Sequence, residues 1–219
     1  MNVSRVWQNT LFAKSIGASY ARAVEHERLA RKLGRLLFGT DVDRMYRAMD
    51  TVAEMPGGAA ILDVPCGGGV TITRLRPGQD VRYVAMDISA GMLEHARRRV
   101  REDQYDTVEF VEASIEEIPF DTGTFDLCVC FNGLHCLPDP AAAITEIARC
   151  LKPGGRLIGD FATRGRVRRS DAYMALLRAT GTFGPAGTLD DARRWFTDAG
   201  LVIDTLECSG AITHFAVHR

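Results

Sequence analysis

The stretch that most limits what this chain can fold into is Ala59-Ala60-Ile61-Leu62-Asp63-Val64-Pro65-Cys66-Gly67-Gly68-Gly69. Ala59 to Val64 is a short apolar run without alternation, as expected of a strand buried on both faces of a parallel sheet. Its single charge, Asp63, lies near the C-terminal end. Three glycines follow, then Val70-Thr71-Ile72-Thr73-Arg74-Leu75, which can be helical. Strand, glycine turn and helix open a doubly wound α/β fold, in which ligands bind at the carboxyl ends of the strands. Glycine lets the backbone turn tightly and lets a ligand approach the main chain.

The ligand class follows from charge. The dinucleotide fingerprint G-x-G-x-x-G is incomplete, because its third glycine falls on Ile72. A carboxylate leading into the turn also repels a pyrophosphate, which such turns are built to attract. The same carboxylate suits a cation. S-adenosylmethionine (SAM) carries an ammonium and a sulfonium and no phosphate. Val81 to Met86 reads as strand two and ends in Asp87, a bidentate acceptor for two ribose hydroxyls. Asp87 alone does not separate SAM from NAD, but Asp63 with Asp87 does.

These residues carry a resemblance. Ile61 to Gly69 resembles motif I of the class I SAM-dependent methyltransferases, and Asp87-Ile88-Ser89 with Gly91-Met92-Leu93 resembles that family's acidic-loop region. Ala113-Ser114-Ile115-Glu116-Glu117-Ile118-Pro119-Phe120 resembles its D-A-E-x-L-P-F stretch, with Ser114 where an aspartate is usual. A hydroxyl there is a weaker, neutral partner for the adenine amino group, and Ile115 an apolar adenine contact. Similarity runs to about Gly159, roughly the middle half of the chain. It implies a Rossmann-like doubly wound α/β sheet of seven strands, mostly parallel, with an antiparallel C-terminal hairpin strand. It implies SAM as cofactor, S-adenosylhomocysteine as product, and Asp63, Pro65, Cys66, Gly67, Gly69, Asp87, Ile88, Met92, Ser114, Ile115, Asn132 and Tyr20 as cofactor-binding residues.

Organisation is read in chain order. Residues 1–56 look like a helical extension, in which Ser19 to Leu37 is amphipathic and Asp41 can cap a second helix through about Met55. The family commonly lays such an extension over the cofactor, with Tyr20 placed as a lid residue; packing on the sheet is the plain alternative. Residues 57–219 form the α/β domain. Gly91 to about Arg101, Ala141 to Leu151 and Leu189 to Ala199 read as helices, and Thr107 to Glu112, Phe125 to Phe131 and Leu157 to Phe161 as strands. Leu201 to Glu207 and Ala211 to Val217 form the final hairpin. Residues 162–187 interrupt the repeat as a cap insertion, with Arg164, Arg166, Arg168 and Arg169 at its start. Those arginines could clamp an anionic acceptor, or be a solvated loop.

Charge and cysteine usage exclude several classes. A formal net charge of −1 gives no global field for nucleic acid or membrane. No run approaches the ~20 apolar residues of a membrane span, and the N-terminus has no secretory h-region. Cys66, Cys128, Cys130, Cys136, Cys150 and Cys208 form no C-x-x-C pair. They read as reduced packing residues of a cytoplasmic protein. No nucleic-acid partner is expected, because strand four is followed by Asn132-Gly133-Leu134-His135 and there is no basic stripe. The chain is expected to be a monomer or homodimer.

The chemistry read from this is methyl transfer to a small or medium-sized acceptor, most simply a hydroxyl of a sugar, lipid-linked, polyketide or quinone-type metabolite. N- or C-methylation, a SAM-binding partner protein without turnover, and an NAD(P)-dependent oxidoreductase are the alternatives. A hydroxyl acceptor benefits from a base. His135, just beyond strand four, is the first candidate, although histidine at this place in the family also shapes the cofactor pocket. Asp160, ending strand five, is the second; His26, His214 and Tyr20 follow. No Cys/His set has metal-ligand spacing, so no metal ligand is named, while a divalent metal stays open because some sugar and catechol methyltransferases use magnesium.

Overall fold

The computed structural model describes residues 26–219; Tyr20 lies outside them. The order is α1 (Glu27–Leu33), a π-helical turn (Gly34–Phe38), α2 (Asp43–Met49), α3 (Thr51–Glu54), β1 (Ala59–Asp63), β2 (Val81–Asp87), α4 (Ala90–Arg97), β3 (Val108–Glu112), β4 (Phe125–Phe131), α5 (Pro140–Cys150), β5 (Leu151–Ala162), α6 (Arg168–Ala179), α7 (Leu189–Asp198), β6 (Val202–Ser209) and β7 (Ile212–His218).

The strands form one sheet ordered β3-β2-β1-β4-β5-β7-β6. β1 pairs in parallel with β2 and β4, and β4 with β5, whereas β7 runs antiparallel between β5 and β6. The doubly wound dinucleotide sheet is mostly parallel in the order 3-2-1-4-5-6, and the antiparallel β7 inserted between β5 and β6 departs from that order.

Alternation along each strand makes two cores. Leu62, Val84, Cys128, Leu157 and Phe161 face one side and pack with Ile144 and Ile147 of α5 and Phe196 of α7. Ile61, Tyr83, Leu127, Val129 and Ile158 face the other and pack with Met45 and Met49 of α2 and Leu93 and Ala96 of α4. Each fully buried Leu, Ile or Val is worth about 1.5–3 kcal/mol, so both helical layers are held by the sheet. Cys128, Cys130 and Cys150 lie in the first core and Cys66 in the second. All six cysteines are free thiols.

Several helix starts follow local chemistry. Ser89 Oγ accepts from Met92 N–H at the start of α4, Asp139 Oδ1 accepts from Ala142 N–H ahead of Pro140, and Thr188 with Asp191 forms a capping box for α7. Three expectations shift. The segment after the glycines makes only a 3₁₀ turn, Thr71–Arg74, because Val70, Thr71, Ile72 and Thr73 are all β-branched and Pro77-Gly78 ends it before β2. The expected second helix breaks at Asp50 into α2 and α3. β5 begins at Leu151 rather than Leu157; Leu151 pairs with Phe125 and Arg156 with Leu127, so the residues between bulge around Gly154 at φ +75°.

Candidate active site

The carboxyl ends of β1, β2, β4 and β5 converge on a cavity of about 520 Å³. The β1 end contributes Asp63, buried, whose Oδ2 accepts from Tyr83 Oη at 2.7 Å. Burial pushes its carboxyl up to about 7, the Tyr83 bond opposes this, and nearby Asp87 adds to it.

Asp87 closes β2. Its Oδ2 accepts from Gly67 N–H and its Oδ1 from Ser89 N–H, both at 2.9 Å. Burial raises its carboxyl to about 6 against these backbone donors. Each oxygen keeps a lone pair beyond the one it uses here. Gly67 sits at φ +52° with no atom within 4 Å of where a side chain would begin, so its main chain faces open space. Pro65, Cys66, Ile88, Met92, Ser114 and Ile115 also line the cavity. Ser114 Oγ accepts from Glu116 N–H at 3.2 Å. Gly69 does not line it. At φ +77°, an added Cβ there would lie 2.8 Å from Ala96 Cβ, so Gly69 lets α4 close on the turn.

The β4 and β5 ends are tied together. Asn132 takes φ +53°, a left-handed conformation that Asn tolerates better than most residues. Its N–H donates to Asp160 Oδ1 at 3.0 Å and its Nδ2 to Met45 Sδ at 3.1 Å. Asp160 is 1% exposed, and burial pushes its carboxyl up to about 7. Its Oδ2 has no hydrogen-bond partner and lies 3.5 Å from His214 Nδ1. His214, on β7, also lines the cavity.

His135 is buried in the 3₁₀ turn Leu134–Cys136, its ring 4.4 Å from that of Phe183. Its Nδ1 accepts from Ala162 N–H at 3.0 Å, and burial pulls the ring down to about 3. A neutral imidazole with Nδ1 as acceptor carries its proton on Nε2. While this bond stands, neither nitrogen is free to take a proton.

The rest of the cavity is mostly apolar: Leu33, Leu37 and Phe38 from the N-terminal segment, Tyr173 and Leu177 from α6, Phe183 after it, and Ile212 from β7, with Thr40, Thr182 and Glu116 as polar members. Arg164, Arg166, Arg168 and Arg169 do not line it. Arg164 donates to the Ala186 carbonyl and Arg169 to the Arg35 carbonyl, so of the two sequence readings, clamp or solvated loop, the lining of this cavity gives the clamp no cation. Sequence reasoning also missed Tyr83 and Gly133. Tyr83 reads as one more apolar strand residue. Gly133 is required because a side chain there would lie 2.4 Å from Pro65 Cδ, a contact between segments far apart in sequence. His26, a runner-up base, is not part of the cavity lining. Among the described residues no group of three or more His, Cys, Asp or Glu could hold a metal ion, and no helix is long and apolar enough to cross a membrane.

Residues 62–159 match the family described as "Methyltransferase domain". The chain is similar to the ubiquinone biosynthesis O-methyltransferase of Alkalilimnicola ehrlichii, 33% identical over 174 residues that cover 73% of this chain and 68% of that protein. It belongs to the class I SAM-dependent methyltransferase family. Another similar member is the demethylmenaquinone methyltransferase of Clavibacter sepedonicus, 40% identical over 60% of this chain and 55% of that protein. The chain spans about half the length of several curated methyltransferases it matches. Its fold superposes on geranyl diphosphate C-methyltransferase from Streptomyces coelicolor with a TM-score of 0.68 at 17% identity, covering 81% of this chain and 78% of that one. The residues present fit the family's cofactor, SAM: two buried acids and an open glycine main chain form one end of the cavity, with no lysine or arginine among its described lining residues.

Proposed function

We propose that this chain binds SAM at the β1–β2 end of the cavity and methylates a hydroxyl of a neutral, largely apolar small molecule held at the other end. The observation that carries the reading is the change in lining, from Asp63, Asp87 and Gly67 to Leu33, Leu37, Phe38, Tyr173, Leu177 and Phe183. An apolar wall without a fixed cation favours an uncharged acceptor. The hydroxyl is supported by the relative named as an O-methyltransferase.

In this reading Asp87 accepts from the ribose hydroxyls with the lone pairs that Gly67 and Ser89 leave free. Asp63 favours the cationic methionyl end, and a bound cation draws its carboxyl back toward the ionised form. Pro65, Cys66 and the Gly67 main chain form the wall beside it, and the Asn132 turn closes that end. Ile88, Met92 and Ile115 pack on adenine, and Ser114 meets its polar edge. Gly69 serves indirectly by seating α4. When bound, SAM supplies a methyl carbon whose leaving group is a neutral thioether, so the protein need furnish no acid. The chain's task is to hold the acceptor oxygen aligned and away from water. His135 fits the pocket-shaping role better than the base, because its Nδ1 is committed to Ala162.

The test has two stages. Thermal shift with S-adenosylhomocysteine and with NADH should show stabilisation by the former alone. Incubation with SAM and a panel of neutral apolar alcohols and phenols, beside phosphorylated and carboxylated analogues, should then yield S-adenosylhomocysteine and an O-methyl product with the neutral set. Turnover confined to anionic acceptors, or methylation at carbon or nitrogen, would overturn the acceptor assignment.

A further inference from the structure

A row of ionisable side chains crosses the sheet at the cavity. Asp160 on β5 is opposite His214 on β7, and His214 is opposite Glu207 on β6. At its inner end three buried polar atoms have no hydrogen-bond partner: Asp160 Oδ2 and both ring nitrogens of His214. Leaving such groups buried and unpaired is unfavourable, and three in one pair on a cavity wall call for a ligand group that satisfies them. Asp160 Oδ1 is already used by the Asn132 peptide, so Oδ2 and the ring are what the pair can offer.

We infer that Asp160 and His214 act together as the general base of the acceptor site, receiving the hydrogen bond of the acceptor hydroxyl and then its proton. This rests on the methyl-transfer reading above. The acceptor O–H bond breaks and both its electrons stay on oxygen. The proton goes to the pair, which holds it between His214 and Asp160 Oδ2. An oxygen lone pair forms the bond to the methyl carbon, and the pair of the broken carbon–sulfur bond departs with sulfur. The 3.5 Å separation of Nδ1 and Oδ2 shortens as the ring takes up the hydroxyl, since such bonds commonly tighten only when substrate is present.

The surroundings leave the pair free to do this near neutral pH. Burial raises Asp160 to about 7; burial, then Arg44, lowers His214 to about 4. The groups facing them are Cys130 from β4, Arg44 and Arg47 from α2, Asp41 ahead of it, and Glu207 from β6. Arg44 pairs with Glu207 at 3.2 Å and Arg47 lies 3.9 Å from Asp41, so their charges largely cancel. The proton is best assigned to the pair as a unit.

The experiment compares wild type with His214→Gln and Asp160→Asn, using SAM and a neutral alcohol that the wild type methylates. Each variant should lower kcat by about a hundredfold to ten-thousandfold, the usual range for a general base. S-adenosylhomocysteine affinity should stay within about threefold, which also shows that the variants fold. The wild-type rate should rise with pH through an inflection near 7, set by the buried Asp160 carboxyl, and Asp160→Asn should lose it. Variants that keep turnover and the inflection overturn the pair as base while leaving methyl transfer intact. A wild type that binds S-adenosylhomocysteine but methylates no hydroxyl overturns the hydroxyl reading, and the pair as its base with it. Near-normal kcat in only one of the two variants assigns the base to the residue changed in the other and overturns joint action.

Discussion

Gly67 N–H donates to Asp87 Oδ2 at 2.9 Å, tying the glycine turn after β1 to the end of β2. One carboxylate thus shapes the turn and keeps further lone pairs at the cavity wall. Asp87→Asn keeps the size and removes the charge. Losing a charged hydrogen-bond acceptor costs about 1.5–3 kcal/mol, so SAM affinity should fall by about tenfold to a hundredfold. Calorimetry on the folded variant checks this, and unchanged affinity would remove Asp87 from the ribose site.

Asp63 and Asp87 should make SAM binding pH-dependent. Burial raises them to about 7 and about 6, so both are partly protonated in the free protein below neutrality. A cation favours their ionised forms. Binding at pH 6 should therefore release protons, and affinity should weaken as pH falls from about 8 to 5. Calorimetry in buffers of differing ionisation heat measures the release directly. Proton uptake in its place would contradict the cation argument.

Tyr83→Phe removes the hydroxyl that donates to Asp63 Oδ2. A buried carboxylate losing this bond should cost about 1–3 kcal/mol of stability at neutral pH. The denaturant midpoint reads this, with little change in the slope of the transition. A neutral effect would mean that Asp63 is already protonated in the free protein.

The two glycines of the turn should respond differently to alanine. Both have positive φ, a cost of about 1–2 kcal/mol for a side chain. Gly67→Ala meets open space, whereas Gly69→Ala drives a methyl into Ala96 and adds about 1–3 kcal/mol of overpacking. Melting curves should rank Gly69→Ala below Gly67→Ala, while ligand affinity should be hurt more by Gly67→Ala per unit of stability lost.

His135 should show in the acid limb of stability. Its ring is held at about 3 in the fold, against about 6.5 when unfolded. A depressed folded value gives stability that is present above the unfolded value and lost as pH falls toward the folded one. His135→Gln should therefore flatten the fall in stability between about pH 6 and 4, by about 1.4 kcal/mol per pH unit relative to wild type. Asp63, Asp87 and Asp160, all raised, act oppositely: their contribution is present at low pH and lost as pH rises through about 6 to 7. They are common to both proteins and cancel in the comparison.

Local pattern carries most of the strand positions, the acidic strand ends and the family, because buried parallel strands are continuous apolar runs and a ligand turn needs glycine at fixed spacing. Ile61 to Gly69, Asp87 and the C-terminal hairpin were all legible, since each is local. The separate task of Gly69, the need for Gly133 beside Pro65 and the bond between Tyr83 and Asp63 were not, because each depends on a partner distant in sequence. Tertiary structure alone turned the insertion's arginines away from the cavity and committed His135 to the Ala162 peptide. It also set His214 beside Asp160, because only the antiparallel pairing of β7 with β5 brings residues 160 and 214 opposite one another, and strand order leaves no periodicity in the chain to read.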